Sequence, residues 1–140
     1  MIVQPYLHFE GRCDEAIEFY KQAVDAKVDM LMRYKDSPVE PQEGCTPAPG
    51  FEDKVMHSAF RIGETTVMAT DGFNSGKTAF SGFSLSLTCA TDAEARKRFD
   101  ALAEGGKITM PLDKTFFTSS FGMLTDKFGV DWMILTMQQQ

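Results

Sequence analysis

The chain has 140 residues, 43% of them hydrophobic, a formal charge of −6 and three cysteines. That length suits one globular domain with a proper core, and the acidic balance argues against a nucleic-acid or anionic-membrane surface, which needs clustered Lys and Arg. Cys13, Cys45 and Cys89 are odd in number and lack metal-finger spacing, so neither a disulfide framework nor structural zinc is expected.

The opening Met1-Ile2-Val3-Gln4-Pro5 has no basic region leading into an apolar core, and no stretch is long enough to span a bilayer; a cytoplasmic protein with reduced thiols is the expectation. Val3 to Phe9 alternates as a strand, with Val3, Leu7 and Phe9 on one face and Gln4, Tyr6, His8 and Glu10 on the other. Asp14 to Val24 follows with Ile17, Tyr20 and Val24 at helical spacing, a stripe suited to cover the Leu7 and Phe9 face. Val28 to Tyr34, Lys54 to Ile62 and Thr65 to Thr70 read as strands, the last two joined by a tight turn at Gly63-Glu64. Asp36 to Asp53 holds four prolines and two glycines, which predicts a surface loop.

Phe80 to Thr88 alternates again, Phe83, Leu85 and Leu87 against Gly82, Ser84, Ser86 and Thr88. Thr91-Asp92-Ala93-Glu94 is a capping box, opening a helix that buries Ala95, Phe99 and Leu102 and stops at Gly105-Gly106. Strands near Ile108 to Met110, Phe121 to Thr125 and Trp132 to Met137 complete the pattern, with a turn at Lys127-Phe128-Gly129 shaped by Asp126. Leu7, Phe9, Ile17 and Val24 thus recur as Leu85, Leu87, Ala95 and Leu102 at one constant offset. The prediction is an α+β fold of two βαβββ modules, about 1–74 and 75–140, halves of one domain whose curved mixed sheets form a cleft for a small ligand.

Three features invite chemistry. Asp71-Gly72-Phe73-Asn74-Ser75-Gly76-Lys77-Thr78 has the wrong glycine spacing for a phosphate loop and leads into a strand rather than a helix, so it reads as a connection. Cys13 precedes a helix, where the dipole could lower a thiol pKa, but no orienting group accompanies it and a packing role is the stronger reading. Phe116, Phe117, Phe121, Phe128 and Trp132, with Met30, Met32, Met68 and Met133, read first as core and dimer interface.

Pro5-Tyr6-Leu7 followed by Ala16-Ile17-Glu18-Phe19-Tyr20, Ser75-Gly76-Lys77 leading to Ser81-Gly82-Phe83, and Thr125-Asp126-Lys127-Phe128-Gly129-Val130 with Trp132-Met133-Ile134 form a specific set. With the doubled layout, they resemble the PhnB-like branch of the vicinal oxygen chelate superfamily, which includes glyoxalase I, extradiol dioxygenases and bleomycin-resistance proteins. The resemblance implies metal-ligand positions early and late in each module. Here these fall on Gln4 and Met68, or its neighbour Ala69, and on Gly82 and Met133, a set that lacks the imidazole and carboxylate a divalent ion needs. No metal or other cofactor is expected.

Two functions remain. The first is a metal-independent small-molecule-binding protein whose ligand is oriented by Gln4, Tyr6, His8, Ser84 and Ser86 and lined by Met68, Thr70, Phe121 and Met133. The second is an enzyme of lyase, isomerase or dioxygenase type in which His8 or Tyr6 transfers a proton, with or without a divalent metal. The resemblance also implies a two-fold homodimer, compatible with the excess of Phe and Met.

Overall fold

Alternation in the first strand holds, but over a shorter span: β1 is Tyr6–His8, with Leu7 buried between exposed Tyr6 and His8. The computed structural model describes residues 1–36 and 50–137, which fall into two compact units, Met1–Thr78 and Ala79–Gln140. The predicted loop from Asp36 to Asp53 lies mostly outside the described residues, as does Cys45.

In the first unit β1 is followed by α1 (Cys13–Val24), β2 (Lys27–Arg33), β3 (Val55–Ile62) and β4 (Thr65–Thr70), with single 3-10 turns at Tyr34–Asp36 and Phe51–Asp53. The sheet order is β1-β4-β3-β2, parallel only between β1 and β4. Paired residues share a face, and α1 covers the one carrying Leu7, Phe9 and Phe60. Tyr20 contacts both aromatic rings there, at 6.1 Å from Phe9 and 6.2 Å from Phe60. Ile17, Tyr20 and Val24 are buried as the helical spacing requires. Val3 departs from expectation: it is 94% exposed, because the chain joins the sheet only from Pro5 onward, where the Pro5 carbonyl accepts from Met68 N–H.

The second unit repeats the plan with β5 (Leu85–Cys89), α2 (Asp92–Ala103), β6 (Lys107–Asp113), β7 (Phe121–Thr125) and β8 (Asp131–Thr136), in the order β5-β8-β7-β6 and parallel only between β5 and β8. The fold is therefore α+β, two βαβββ modules, each with a four-stranded mixed sheet. Thr91 caps α2 by accepting the Glu94 amide at 3.1 Å, and the helix buries Ala95, Phe99 and Leu102. β5 begins five residues later than predicted, leaving Ser84 ahead of the strand. β6 runs on through Pro111, which an edge strand tolerates because half of its backbone donors face away from the sheet.

The repeat is real, but its register shifts. Ala95, Phe99 and Leu102 are the buried positions of α2, and their counterparts in α1 are Ala16, Tyr20 and Ala23, one residue earlier than the constant offset places them. Two residues, Ala90 and Thr91, join β5 to α2, whereas Glu10, Gly11 and Arg12 accompany Phe9 in the first connection. The strand starts, Tyr6 and Leu85, and the helix starts, Cys13 and Asp92, share one offset, so the connections differ in length because β1 ends earlier than β5 does.

Two buried carboxylates fix the modules' turns. Asp71, fully buried after β4, accepts from the amides of Gly11 at 3.0 Å, Cys13 at 2.7 Å and Val55 at 2.7 Å. It therefore satisfies the start of α1 in place of Arg12, whose side chain makes no cap. Asp126 accepts from the amides of Phe128 and Val130 and from the Trp132 indole at 2.9 Å, which makes the predicted turn a rigid corner. Phe128 and Trp132 are core, as expected, but Phe116 is fully exposed and Phe117 is 36% exposed, their rings packing edge to face on the segment before β7. Among the described residues no helix is long and apolar enough to cross a membrane.

Candidate functional site

Both histidines of the chain flank one tyrosine on the face of the first module's sheet that α1 leaves uncovered. Pairing of Tyr6 with Met68, Met68 with Ala59 and Ala59 with Met30 lays a row across all four strands. The adjoining row holds His8 opposite Thr70 and His57 opposite Met32. Small Ala59 between two methionines leaves room on the sheet, with pliable thioethers on either side.

The Tyr6 hydroxyl lies 2.9 Å from His57 Nδ1, and the two rings stack at 5.4 Å. The His8 ring lies 5.5 Å from Tyr6 at a tilt. Tyr34, just after β2, donates to the Gly72 carbonyl at 3.0 Å, and Gly72 N–H donates to the Thr70 hydroxyl at 3.1 Å. Burial raises the Tyr6 pKa above the ordinary phenol value and Tyr34 adds repulsion, while the Thr70 hydroxyl works the other way. Tyr6, 41% exposed, therefore stays a neutral phenol that can both donate and accept.

The loop after β4 holds this edge in place. Phe73 N–H donates to the Glu10 carboxylate at 3.1 Å and Gly76 N–H to the Glu10 carbonyl at 2.8 Å. Gly72 has a φ of +59°, and a Cβ there would overlap Glu10 and sit 3.4 Å from His8 Nδ1. The closeness of the loop to His8 thus depends on a residue without a side chain.

The structure brings together Tyr6, His8, Met68 and Thr70 from the sequence-predicted set. Gln4 is half-buried and lies two residues ahead of β1. In the second module Ser86 pairs with Met133 and Met133 with Met123, while Phe121 follows the same alternation. Ser84 is exposed outside the strand. His57 was missed, although the two-residue turn at Gly63-Glu64 sets Ile62 against Thr65 and Ser58 against Ala69, which puts the residue before Ser58 on the uncovered face.

Cys13 does not behave as an activated thiol. It is fully buried, and burial together with the nearby Asp71 carboxylate pushes its pKa up to about 12. The expected metal positions fare no better: an amide at Gln4, thioethers at Met68 and Met133 and no side chain at Gly82 do not fit a hard divalent ion. Among the described residues no three His, Cys, Asp or Glu side chains converge to hold one.

The family model described as 3-demethylubiquinone-9 3-methyltransferase matches residues 2–135. Protein YjdN of Escherichia coli K12 is 38% identical over all of this chain and 98% of its own. Protein PA1353 from Pseudomonas aeruginosa is 38% identical with a TM-score of 0.83 over 99% of both chains. A PhnB protein from Bacillus cereus is 31% identical with a TM-score of 0.77, over 98% of this chain and 100% of that one. In fold alone the likeness extends to a glyoxylase/bleomycin resistance protein/dioxygenase domain from Frankia, 12% identical with a TM-score of 0.61, over 99% of this chain and 93% of that one. A match along almost the whole chain, with relatives above 30% identity at full length, makes this protein a member of the family described as 3-demethylubiquinone-9 3-methyltransferase, the PhnB-like branch of the glyoxalase/bleomycin-resistance fold.

Proposed function

We propose that the protein binds a small, planar, partly apolar organic molecule against the uncovered face of the first module's sheet, without a metal. The observation that carries this reading is the hydrogen bond between Tyr6 and His57, set beside His8 on a floor of Met68, Ala59 and Met30. Polar groups on a pliable apolar surface give a ligand both area and orientation. Thr70 is not a free contact, since its hydroxyl donates to the Met56 carbonyl at 2.7 Å; its part is to hold the loop and the phenols in position. In the second module Ser86, Met133, Met123 and Met110 form the corresponding row, where Met123 takes the place of Ala59. That bulkier row favours the first module as the principal ligand face.

Native mass spectrometry of the purified protein, followed by denaturation and analysis of what is released, tests the reading. A stoichiometric organic molecule, depleted at least tenfold in Tyr6→Phe that folds normally, is the expected result. Wild-type protein that holds no organic molecule and binds none from a panel of aromatic acids and phenols overturns it.

We also propose a two-fold homodimer. The edge strands β2 and β6 expose Val28, Met30, Ile108 and Met110, apolar side chains on strands that pair along one side only among the described residues. Both properties favour cover by a second copy.

A further inference from the structure

Resting on the small-molecule reading of this face, we propose that the ligand is a weak oxygen acid, a phenol or an enol, and that it binds as its anion after passing a proton through Tyr6 to His57. The geometry is that of a two-step relay. With the His57 proton on Nε2, its Nδ1 accepts from Tyr6 at 2.9 Å, and the Tyr6 lone pairs are left to accept from a ligand hydroxyl.

In the transfer, the ligand O–H bond breaks and a new O–H bond forms at Tyr6. The original Tyr6 O–H bond breaks and an N–H bond forms at His57 Nδ1. The ligand becomes an oxyanion and His57 an imidazolium, while Tyr6 begins and ends as a neutral phenol. That suits a phenol whose ionisation is opposed by burial and by Tyr34. A free base in its place would have to carry the charge itself. Here the charge rests on the imidazole, which takes a proton on its free ring nitrogen to become a cation delocalised over both nitrogens.

The surroundings fit the anion. His8, 5.5 Å from Tyr6 on the same face, offers a second imidazole N–H toward the oxyanion. Glu10 lies beside His8, but its carboxylate is turned onto the amide of Phe73 at 3.1 Å. Arg33, at the end of β2, is committed to Asp14 at 2.8 Å and to the Asp53 carbonyl. Tyr34 is the other titratable group of this region, and its hydroxyl is committed to the Gly72 carbonyl. The Tyr6 and His57 pair is thus the proton path of this face, and an acid strong enough to share its proton with imidazole is the ligand class that uses it.

4-Nitrophenol is a suitable probe, because its neutral and anionic forms absorb at different wavelengths. Equilibrium dialysis of the full-length protein measures how much is bound, and the spectrum measures how much of that is ionised, at a pH where the free dye is mostly neutral. The expected result is bound dye carrying the phenolate band in the wild type and, with the dye raised at least tenfold to load the weaker variants, bound dye with the neutral band in both Tyr6→Phe and His57→Gln. Neutral dye bound to the wild type, or a phenolate band that survives in His57→Gln, overturns the relay and leaves the binding reading standing. No dye bound to the wild type overturns both.

Discussion

A thiol at the first turn of a helix gains from the dipole, yet burial and the facing Asp71 carboxylate outweigh that gain at Cys13 and push its pKa to about 12. The unfolded thiol ionises near its ordinary value of about 8.5. Since the folded pKa is the higher one, Cys13 lends stability that is fully present below the ordinary thiol range. It is lost as pH rises from there toward 12. Native protein should therefore react with a thiol reagent at Cys13 only as fast as it unfolds, and its midpoint in urea should fall steadily above pH 9 in the wild type but less so in Cys13→Ala; rapid labelling of folded protein at pH 8, located at Cys13 by peptide mapping, would falsify this. Asp126 makes the complementary case. Its three donors are buried with it, so Asp126→Ala removes three charge-assisted hydrogen bonds at once and should cost about 3 kcal/mol in denaturant unfolding. A loss below 1 kcal/mol would show the turn to be held by other contacts.

At the scale of elements, local patterns carried most of the fold. The stripe in α1, the threonine cap of α2, the Gly63-Glu64 hairpin and the Asp126 turn rest on neighbours within a few residues, so sequence spacing is enough to place them. What was not legible depends on distant partners. The true cap of α1 is Asp71, some sixty residues away in the chain, and the extent of β1 is set by its pairing with β4, which lies as far off in the sequence. His57 was legible through strand register, but not through any motif of its own. Two substitutions test the long-range joints. Asp71→Ala frees the start of α1 and of β3 together and should lower Tm by about 10 °C, on a loss of about 3 kcal/mol. Gly106→Ala puts a methyl group into the backbone of Thr125 and Asp126, where no flexible side chain can yield, and should cost about 1–3 kcal/mol by overpacking. Gly50→Ala meets nothing within 4 Å, and although Gly50, unlike Gly106, has a positive φ of +88°, it should cost less than either.

For the whole molecule the sharpest question is what covers the sheet edges. A four-stranded sheet ends in strands with unpaired backbone groups, and such edges are ordinarily blunted by charge, proline or a bulge. β6 carries Pro111 and Lys107, and β2 carries Lys27 and Asp29, yet Ile108 at 49% exposure and Met110 at 45% remain open beside them. Partial protection with apolar side chains left out suits an interface that forms with a specific copy and resists indiscriminate pairing. Sedimentation at micromolar concentration should therefore report twice the monomer mass. Ile108→Lys combined with Met110→Lys should bring it down to one chain, with the helical and sheet content of each module kept, because both side chains are exposed in the isolated chain and neither belongs to its core. If the wild type sediments as a single chain at that concentration, or the double variant stays dimeric, β6 is not the contact and its exposed apolar side chains are simply surface.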